Sequence, residues 1–493
     1  MRALVLAQGT GRRWDDAEGR PYLGAPKHLA VRVDGEPVLA RTVRLLRAAG
    51  VTDVVVVGPD DDRYRTDGAR LVTLDDTDPC GCDMSKFVAT APLWVTDDRT
   101  VLLWGDCYYS DDLIRSVVNH VDGDYHVWRR PGASSVTGHR WDESFAVSFG
   151  PAEHARVLEV AWQVAAMVRH RTIRSSHIRT HLAAWAGLAR VDDVAAVAKV
   201  GHQTHIDDWT DDFDRPDEWA GWFGRYYAGA YRVAVVVPWC GGDAHRSRAW
   251  RFVQQHYADM GVPVVAAGDP SGGRWVNRSA ARNAATAAAL EQHPDVEVLF
   301  LADADTFVPA HQMWAAVHLA HERQQLVLAF TDYLRSRSPA TTRVLRGRRH
   351  VDVEHTLARS ALRATGHASG AMAVPVDVWH MVGGYDERFL SWGGEDRAFW
   401  CACNTLAGAC DRIHGNAYHL WHPISPERDE RMPQYQFNRA LGHRYKRAAG
   451  WLRGGGMLGA LADADVAPDP DAMRALLAEP GGPLARQMEM TNT

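Results

Sequence analysis

Two short apolar runs constrain the fold of this chain more than any other feature. Arg2–Ala7 reads RALVLA and leads into Gln8-Gly9, and Arg232–Val237 reads RVAVVV and leads into Pro238 and a Gly-Gly loop. Continuous apolar runs of this length suit strands buried on both faces, as in parallel sheets flanked by helices. Helical and strand-like stretches alternate after each run. In the first half, the pattern predicts an amphipathic helix over Pro37–Ala49 and strands over Asp53–Val57 and Thr100–Trp104. In the second half it predicts helices over Ser247–Met260 and Arg278–Gln292, with strands over Val262–Ala267 and Val296–Ala302. A βαβ rhythm that occurs twice predicts an α/β chain of two doubly wound domains in tandem. The 493 residues allow it, at roughly 100–200 residues per domain.

The expected division is 1–225, 226–450 and a flexible tail over 451–493, with one short helix near Met473–Ala478. The stretch around the first boundary, WAGWFGRYYAGAY, is aromatic and reads as a packed junction. Residues 151–200 read as helical. The formal charge is 55 − 61 = −6, which gives no electrostatic support to a nucleic-acid-binding surface. Seven cysteines in a large chain argue against a disulfide framework and for buried thiols in a reducing compartment. No stretch approaches the roughly 18 apolar residues of a membrane span, and the N-terminus lacks a secretory pattern. The expectation is a soluble cytoplasmic protein.

The first run opens into Gly9-Thr10-Gly11-Arg12-Arg13. Glycines let backbone approach a phosphate, and arginines neutralise it. Lys27, one of only four lysines, follows Pro26. Gly105-Asp106 ends the Thr100–Trp104 strand, where parallel sheets bind ligands, and Asp214-Arg215-Pro216-Asp217 starts a helix. Together these resemble the sugar-phosphate nucleotidyltransferase family, over about residues 1–225. The resemblance implies a Rossmann-like domain that joins an NTP to a sugar phosphate and releases pyrophosphate. It implies phosphate binding at Gly9, Gly11 and Arg12, charge stabilisation by Lys27 and Arg13, and Mg²⁺ on Asp106 and Asp214. Gln8 departs from the family's small residue and leaves the preferred base open.

In the second half, Asp303-Ala304-Asp305 follows a strand, and carboxylates one residue apart can face one divalent ion. Gly383-Gly384-Tyr385-Asp386-Glu387 reads as a turn, and Trp392-Gly393-Gly394-Glu395-Asp396 leads into a helix. The helix dipole keeps carboxylates ionised at such a start, ready to act as general base, and Trp392 can stack on a sugar. These motifs resemble GT-A fold glycosyltransferases of the galactosyltransferase and N-acetylgalactosaminyltransferase group, over about Arg232–Tyr445. That resemblance implies a nucleotide-sugar donor held by Asp269, Arg278, Arg282 and Asn283. It implies sugar or acceptor contacts at Trp392, Gly393 and Gly394, and Mn²⁺ or Mg²⁺ on Asp303, Asp305 and a histidine, His422 before His419. Asp396, beside Glu395, becomes the catalytic base of an inverting transfer. Arg397 stands where the group has another acidic residue, so acceptor identity (protein, glycan, small molecule or modified nucleic acid) does not carry over.

The leading expectation is a bifunctional enzyme that makes and then transfers an activated sugar. One alternative keeps only the glycosyltransferase, with a non-catalytic N-terminal binding domain. Another, prompted by the basic stretches Arg343–Arg349 and His170–Arg179, is a glycosyltransferase acting on nucleic-acid bases.

Overall fold

The computed structural model describes residues 1–8, 13–15, 21–74, 83–173, 177–191, 193–273, 275–346, 353–359, 361–364, 369–423, 431–450 and 467–491. Gly9, Gly11, Arg12, Cys80 and Cys82, and parts of both basic stretches, lie outside the described residues. The chain divides into two compact units, Met1–Trp222 and Phe223–Thr493.

The first unit is built on seven strands: β1 (Arg2–Leu6), β2 (Asp53–Val57), β3 (Arg70–Val72), β4 (Thr100–Trp104), β6 (His126–Arg130), β7 (Glu143–Phe149) and β8 (Gln203–His205). Their order is β8-β6-β7-β4-β1-β2-β3. The centre is parallel, β4-β1-β2-β3, and β7 runs antiparallel to both neighbours. Two short strands, β5 (Cys107–Tyr108) and β9 (Asp211–Asp212), pair separately and antiparallel. Helices α1 (Lys27–Ala30), α2 (Val38–Ala48) and α3 (Asp111–Asn119) lie in the first part of this unit, and α4 (His154–Arg169) and α5 (Ile178–Trp185) form the helical stretch expected after residue 151. Alternate strand residues feed two cores. Leu4, Val55 and Leu102 join one with α4 and α5, while Ala3, Val5, Val54 and Val101 join another with α2 and α3. Burial on both faces is the physical reason these strands read as unbroken apolar runs.

The second unit contains a six-stranded sheet: β10 (Val233–Pro238), β11 (Val264–Ala267), β12 (Val298–Ala302), β14 (Val327–Leu328), β17 (Ala371–Pro375) and β18 (Asp411–Arg412), ordered β11-β10-β12-β17-β14-β18. The β11-β10-β12 core is parallel, and β17 is antiparallel to β12 and β14. A smaller sheet holds β13 (Thr306–Phe307), β15 (Asp332–Arg335), β16 (Leu362–Ala364) and β19 (Asn416–His419), ordered β13-β19-β15-β16. Helices α6 (Ala244–Ala258), α7 (Arg278–Gln292) and α8 (Ala310–Arg323) follow the first strands, and α9 (Glu395–Leu406) and α10 (Pro433–Ala448) come later. The tandem α/β architecture is thus present, with an antiparallel strand within each sheet that the apolar pattern did not distinguish from its parallel neighbours.

Residues 467–491 carry α11 (Pro470–Leu477), where the sequence predicts one short helix near Met473–Ala478, and α12 (Pro483–Thr491), where it predicts only a loose tail. Met473, Leu476 and Leu477 are buried. Glu479 accepts from Arg388 at 2.8 Å and pairs with Arg444, and Arg388 in turn grips Asp386. The Tyr445 hydroxyl donates to Asp386 at 2.8 Å. This segment therefore braces the loop between Gly383 and Trp392. Met473→Ala is expected to destabilise the second unit by about 2–5 kcal/mol, the usual result of emptying a buried methionine site, read as a lowered denaturant midpoint.

Among the described residues, no helix is long and apolar enough to cross a membrane. Cys107, Cys401 and Cys403 are buried free thiols, whereas Cys240 is exposed.

Candidate active sites

In the first unit, β1 and β4 end side by side, and the Gly105 N–H donates to the Leu6 carbonyl at 2.8 Å. A Cβ on Gly105 would sit 3.0 Å from the Ala7 Cβ and 3.1 Å from the Leu6 oxygen, so glycine is what lets the two strand ends approach. Asp106 follows at this C-terminal edge. The β5–β9 ladder sets Asp212 opposite Cys107, and ligand atoms of Asp106, Cys107 and Asp212 lie within 4.8 Å of one another. Lys27, placed after Pro26 at the start of α1, is buried and forms ion pairs with Asp106 and, at 2.9 Å, with Asp214. Arg13 pairs with Asp214 on the outside. The Gln8 amide donates to the Leu74 carbonyl at 3.1 Å.

Electrostatics distinguishes these carboxylates. Burial opposes ionisation of Asp106, but Lys27 overrides it and holds the group down to about 2. Asp212 is pushed well up by burial and by the charges of Asp106 and Asp214. Lys27 stays well above its ordinary value despite burial, because it faces Asp106, Asp212 and Asp214. The upward push on Asp212 marks a crowding of carboxylates that Lys27 and Arg13 do not fully offset, and a divalent cation would relieve it. The hard oxygens of Asp106 and Asp212 fit Mg²⁺. Burial pushes the Cys107 thiol well up, so it remains neutral and is a poor donor for such an ion. The sequence reading chose Asp214 as the partner of Asp106. The structure places Asp212 closer to that role and Asp214 beside Lys27 and Arg13.

A second cluster missed in the sequence lies nearby. His139 Nδ1 sits 2.7 Å from Asp211, which also accepts from the buried Arg130 at 3.0 Å. Glu143, at the start of β7, is pushed up to about 8 by burial, with Asp211 and Asp214 adding to the effect. Asp211 lies 72 residues beyond His139, and no local motif joins it to His139 and Glu143.

In the second unit, Asp303 and Asp305 follow β12. The β13–β19 ladder sets Thr306 against His419, and the Leu420 N–H donates to the Asp305 carbonyl at 2.8 Å. This pairing brings His422 Nε2 to 3.1 Å and His419 Nε2 to 3.7 Å from Asp305. Ligand atoms of the three lie within 4.8 Å of one another. Burial works against the Asp305 charge, but the two histidines hold its carboxyl far below the ordinary range. His419 Nδ1 is buried without a hydrogen-bond partner. One carboxylate with two imidazoles fits Mn²⁺ better than Mg²⁺, which prefers oxygen donors. Both histidine candidates reach Asp305. Asp303 does not join the group: it accepts from Arg282 at 2.7 Å.

Arg282 on α7 is buried and bridges two carboxylates, Asp303 and, at 3.1 Å, Asp396; its guanidinium lies 4.9 Å from the Tyr385 ring centre. Burial pushes Asp396 up to about 7; Glu395 and Asp303 add to the shift, and Arg282 opposes it. Glu395 is buried, 3.9 Å from Arg278. Gly393 and Gly394 have φ of +100° and +106°, a backbone that side chains disfavour, and Gly394 caps α9. Trp392 stacks on Tyr435 with centroids 5.8 Å apart. Apart from Tyr385, these residues border a cavity of about 1190 Å³. Asp269 and Asn283, expected to hold the nucleotide, do not line it. Asp269 accepts from the N–H groups of Ser271 and Asn277, and the Asn283 amide clasps Tyr385 and Glu387. Both brace loops. Arg282→Ala would leave two carboxylates unpaired; it is expected to cost about 3–5 kcal/mol in thermal or denaturant unfolding and to raise the Asp396 pKa further.

Comparison with known proteins gives each half a family likeness. The model of the MobA-like NTP transferase domain matches residues 3–204, which include Lys27 and Asp106. The model of the N-terminal domain of galactosyltransferase matches residues 349–422, which include Trp392–Asp396, His419 and His422. The chain thus carries a nucleotidyltransferase-like half followed by a galactosyltransferase-like half. No curated protein matches it in sequence. Among solved structures, a Drosophila β1,4-galactosyltransferase 7 mutant in complex with manganese, UDP-Gal and xylobiose is 12% identical, over 42% of this chain and 79% of that one, with a TM-score of 0.30. UDP-glucose pyrophosphorylase from Acinetobacter baumannii is 11% identical, over 46% of this chain and 93% of that one, also at 0.30. The inositol-1-phosphate CTP transferase from T. maritima is 14% identical, over 31% of this chain and 72% of that one, at 0.24.

Proposed function

We propose that the chain is a bifunctional enzyme whose residues 1–225 activate a sugar phosphate with an NTP and whose residues 226–450 transfer a sugar from a nucleotide-sugar donor to an acceptor hydroxyl. The observation that carries this reading is that each unit sets its own carboxylate constellation at the C-terminal end of a parallel strand, Asp106 with Asp212 after β4 and Asp305 with two histidines after β12.

In the first reaction, an oxygen of the sugar phosphate attacks the α-phosphorus of the NTP, the bond to the β-phosphate breaks, and pyrophosphate leaves. Lys27 and Arg13 are positioned to neutralise the charge that develops on the phosphates. In the second, Asp396 takes the proton of the acceptor hydroxyl, whose oxygen attacks the anomeric carbon from the face opposite the leaving nucleoside diphosphate, with inversion. Arg278 and Arg282 face the diphosphate, and Trp392 offers a ring to the sugar. Divalent cations, Mg²⁺ on Asp106 and Asp212 and Mn²⁺ on Asp305, His419 and His422, supply charge neutralisation when bound.

The test is a panel of NTPs against sugar 1-phosphates, reading pyrophosphate, beside a panel of nucleotide sugars, reading metal-dependent release of nucleoside diphosphate. Pyrophosphate release with at least one pair, lost in Asp106→Asn, supports the first activity. Nucleotide-sugar turnover without any pyrophosphate release favours the glycosyltransferase-only alternative.

A further inference from the structure

The loop that carries Trp392 and leads to Asp396 lies along α10. Trp392 stacks on Tyr435, and a Cβ on Gly393 would sit 3.4 Å from the same ring. A Cβ on Gly394 would sit 3.4 Å from the Asn438 carbonyl oxygen and 2.8 Å from the Phe389 ring, so bare backbone is what fits there. Tyr435 and Asn438 are three residues apart and share one side of the helix.

One side chain at this contact makes three hydrogen bonds to the loop. The Asn438 amide donates to the Leu390 carbonyl at 2.8 Å and to the Trp392 carbonyl at 3.2 Å, and its oxygen accepts from the Leu390 N–H at 3.3 Å. Asn438 is buried on the α10 face that includes Leu441, Tyr445 and Ala448, and it also borders the cavity. Its bonds bracket Ser391, whose φ of +65° lies in the left-handed region that a residue with a Cβ disfavours. From the other side, the Ser391 N–H donates to the Val276 carbonyl at 3.0 Å.

This clamp stands directly before the reacting centre. Gly393 and Gly394 follow Trp392, Gly394 is the N-cap of α9, and Asp396 is the second residue of that helix, 3.1 Å from Arg282. Glycines turn freely, so they do not themselves fix the path from Trp392 into α9. Tyr445, Arg388 and Glu479 hold the far end of the loop at Asp386, whereas Asn438 holds the end next to Asp396.

We infer that Asn438 is a positioning residue for sugar transfer: by fixing the Leu390–Trp392 backbone, its amide aims the Trp392 ring and the Asp396 carboxylate at the reacting groups. The inference rests on the glycosyltransferase reading of this unit. It is tested on the full chain by hydrogen-exchange mass spectrometry and by turnover of the nucleotide-sugar panel described above. Asn438→Ala removes all three bonds. Asn438→Asp keeps the volume and the acceptor for the Leu390 N–H but lacks the amide hydrogens. Leu441→Ala truncates the next buried residue on the same face of α10 and controls for lost packing. Both Asn438 variants are expected to exchange the amides of Phe389–Arg397 about tenfold faster than the wild type. Their kcat is expected to fall about 10–100-fold, the cost of a slightly misplaced reacting group, with KM for the nucleotide sugar within about twofold. Leu441→Ala is expected to lower the thermal midpoint at least as far while keeping kcat within about threefold of the wild type. Unchanged exchange over Phe389–Arg397 in both Asn438 variants overturns the inference, as does a kcat in Leu441→Ala that falls as far as theirs. Failure of the underlying reading shows separately, as absence of metal-dependent, Asp396-dependent turnover in the wild type, whatever the exchange rates.

Discussion

Asp396→Asn is expected to lower sugar transfer by about 10²–10⁴-fold, the range for loss of a positioned general base. The amide keeps the shape of the side chain and its place at the start of α9, but it cannot take a proton. The folded unit should therefore retain its stability, and the loss should fall on kcat. The pH profile gives a second reading. Burial pushes the Asp396 carboxyl up to about 7, so the base is protonated and inactive below that pH and ionised above it. Transfer is expected to rise as pH increases through about 7. Arg282→Ala removes the cation that favours the charged form, so the residual activity of that variant should need a higher pH. A wild-type profile flat from pH 5.5 to 8.5 would remove Asp396 from the role of base.

Asp106→Asn is expected to reduce pyrophosphate release by about 10²–10³-fold, comparable to removing one charge-stabilising group from a preorganised site. Asp106 is also the closest ion-pair partner of the buried Lys27. The variant should therefore raise the Mg²⁺ requirement, measured as the concentration giving half-maximal release. Asp212→Asn should do the same to a greater degree than Asp214→Asn, because Asp212 shares the candidate ligand group with Asp106 and Asp214 pairs with Lys27 and Arg13 instead. Lys27 holds the Asp106 carboxyl down to about 2, so this group keeps its charge throughout the working range. Loss of transfer between pH 8 and 6 should thus have no counterpart arising from Asp106 in the first reaction.

Much of the fold was legible because its central strands are buried on both faces. Asp53–Val57, Thr100–Trp104 and the helix Arg278–Gln292 have the bounds that their apolar patterns predict. A short helix was legible near Met473–Ala478, where α11 lies, but its packing was not. Its buried face consists of only Met473, Leu476 and Leu477, after a glycine-rich stretch that reads as loose. The sites divide in the same way. Asp106 and Asp305 sit at strand ends, a position that sequence can locate. Asp212 reaches Asp106 through a two-residue antiparallel ladder between segments about a hundred residues apart, and no local spacing encodes that pairing. Asp269 and Asn283 hold loops and do not line the cavity, and a polar residue beside a helix start looks the same in sequence whether it faces a ligand or holds a loop. His419 and His422 could be found because the first ends one short strand and the second follows it, and the strand's register against Thr306 brings them to Asp305.

The central claim is that one chain both makes and spends an activated sugar at two separate sites. It is tested most directly by following isotope-labelled sugar 1-phosphate, with NTP and divalent cation, by mass spectrometry in the wild type, Asp106→Asn and Asp305→Asn. The wild type should convert the label to nucleotide sugar and then consume it. Asp305→Asn should accumulate labelled nucleotide sugar, and Asp106→Asn should form none while still consuming nucleotide sugar supplied ready-made. Nucleotide sugar formed at the wild-type rate by Asp106→Asn, or consumed at the wild-type rate by Asp305→Asn, would contradict the account.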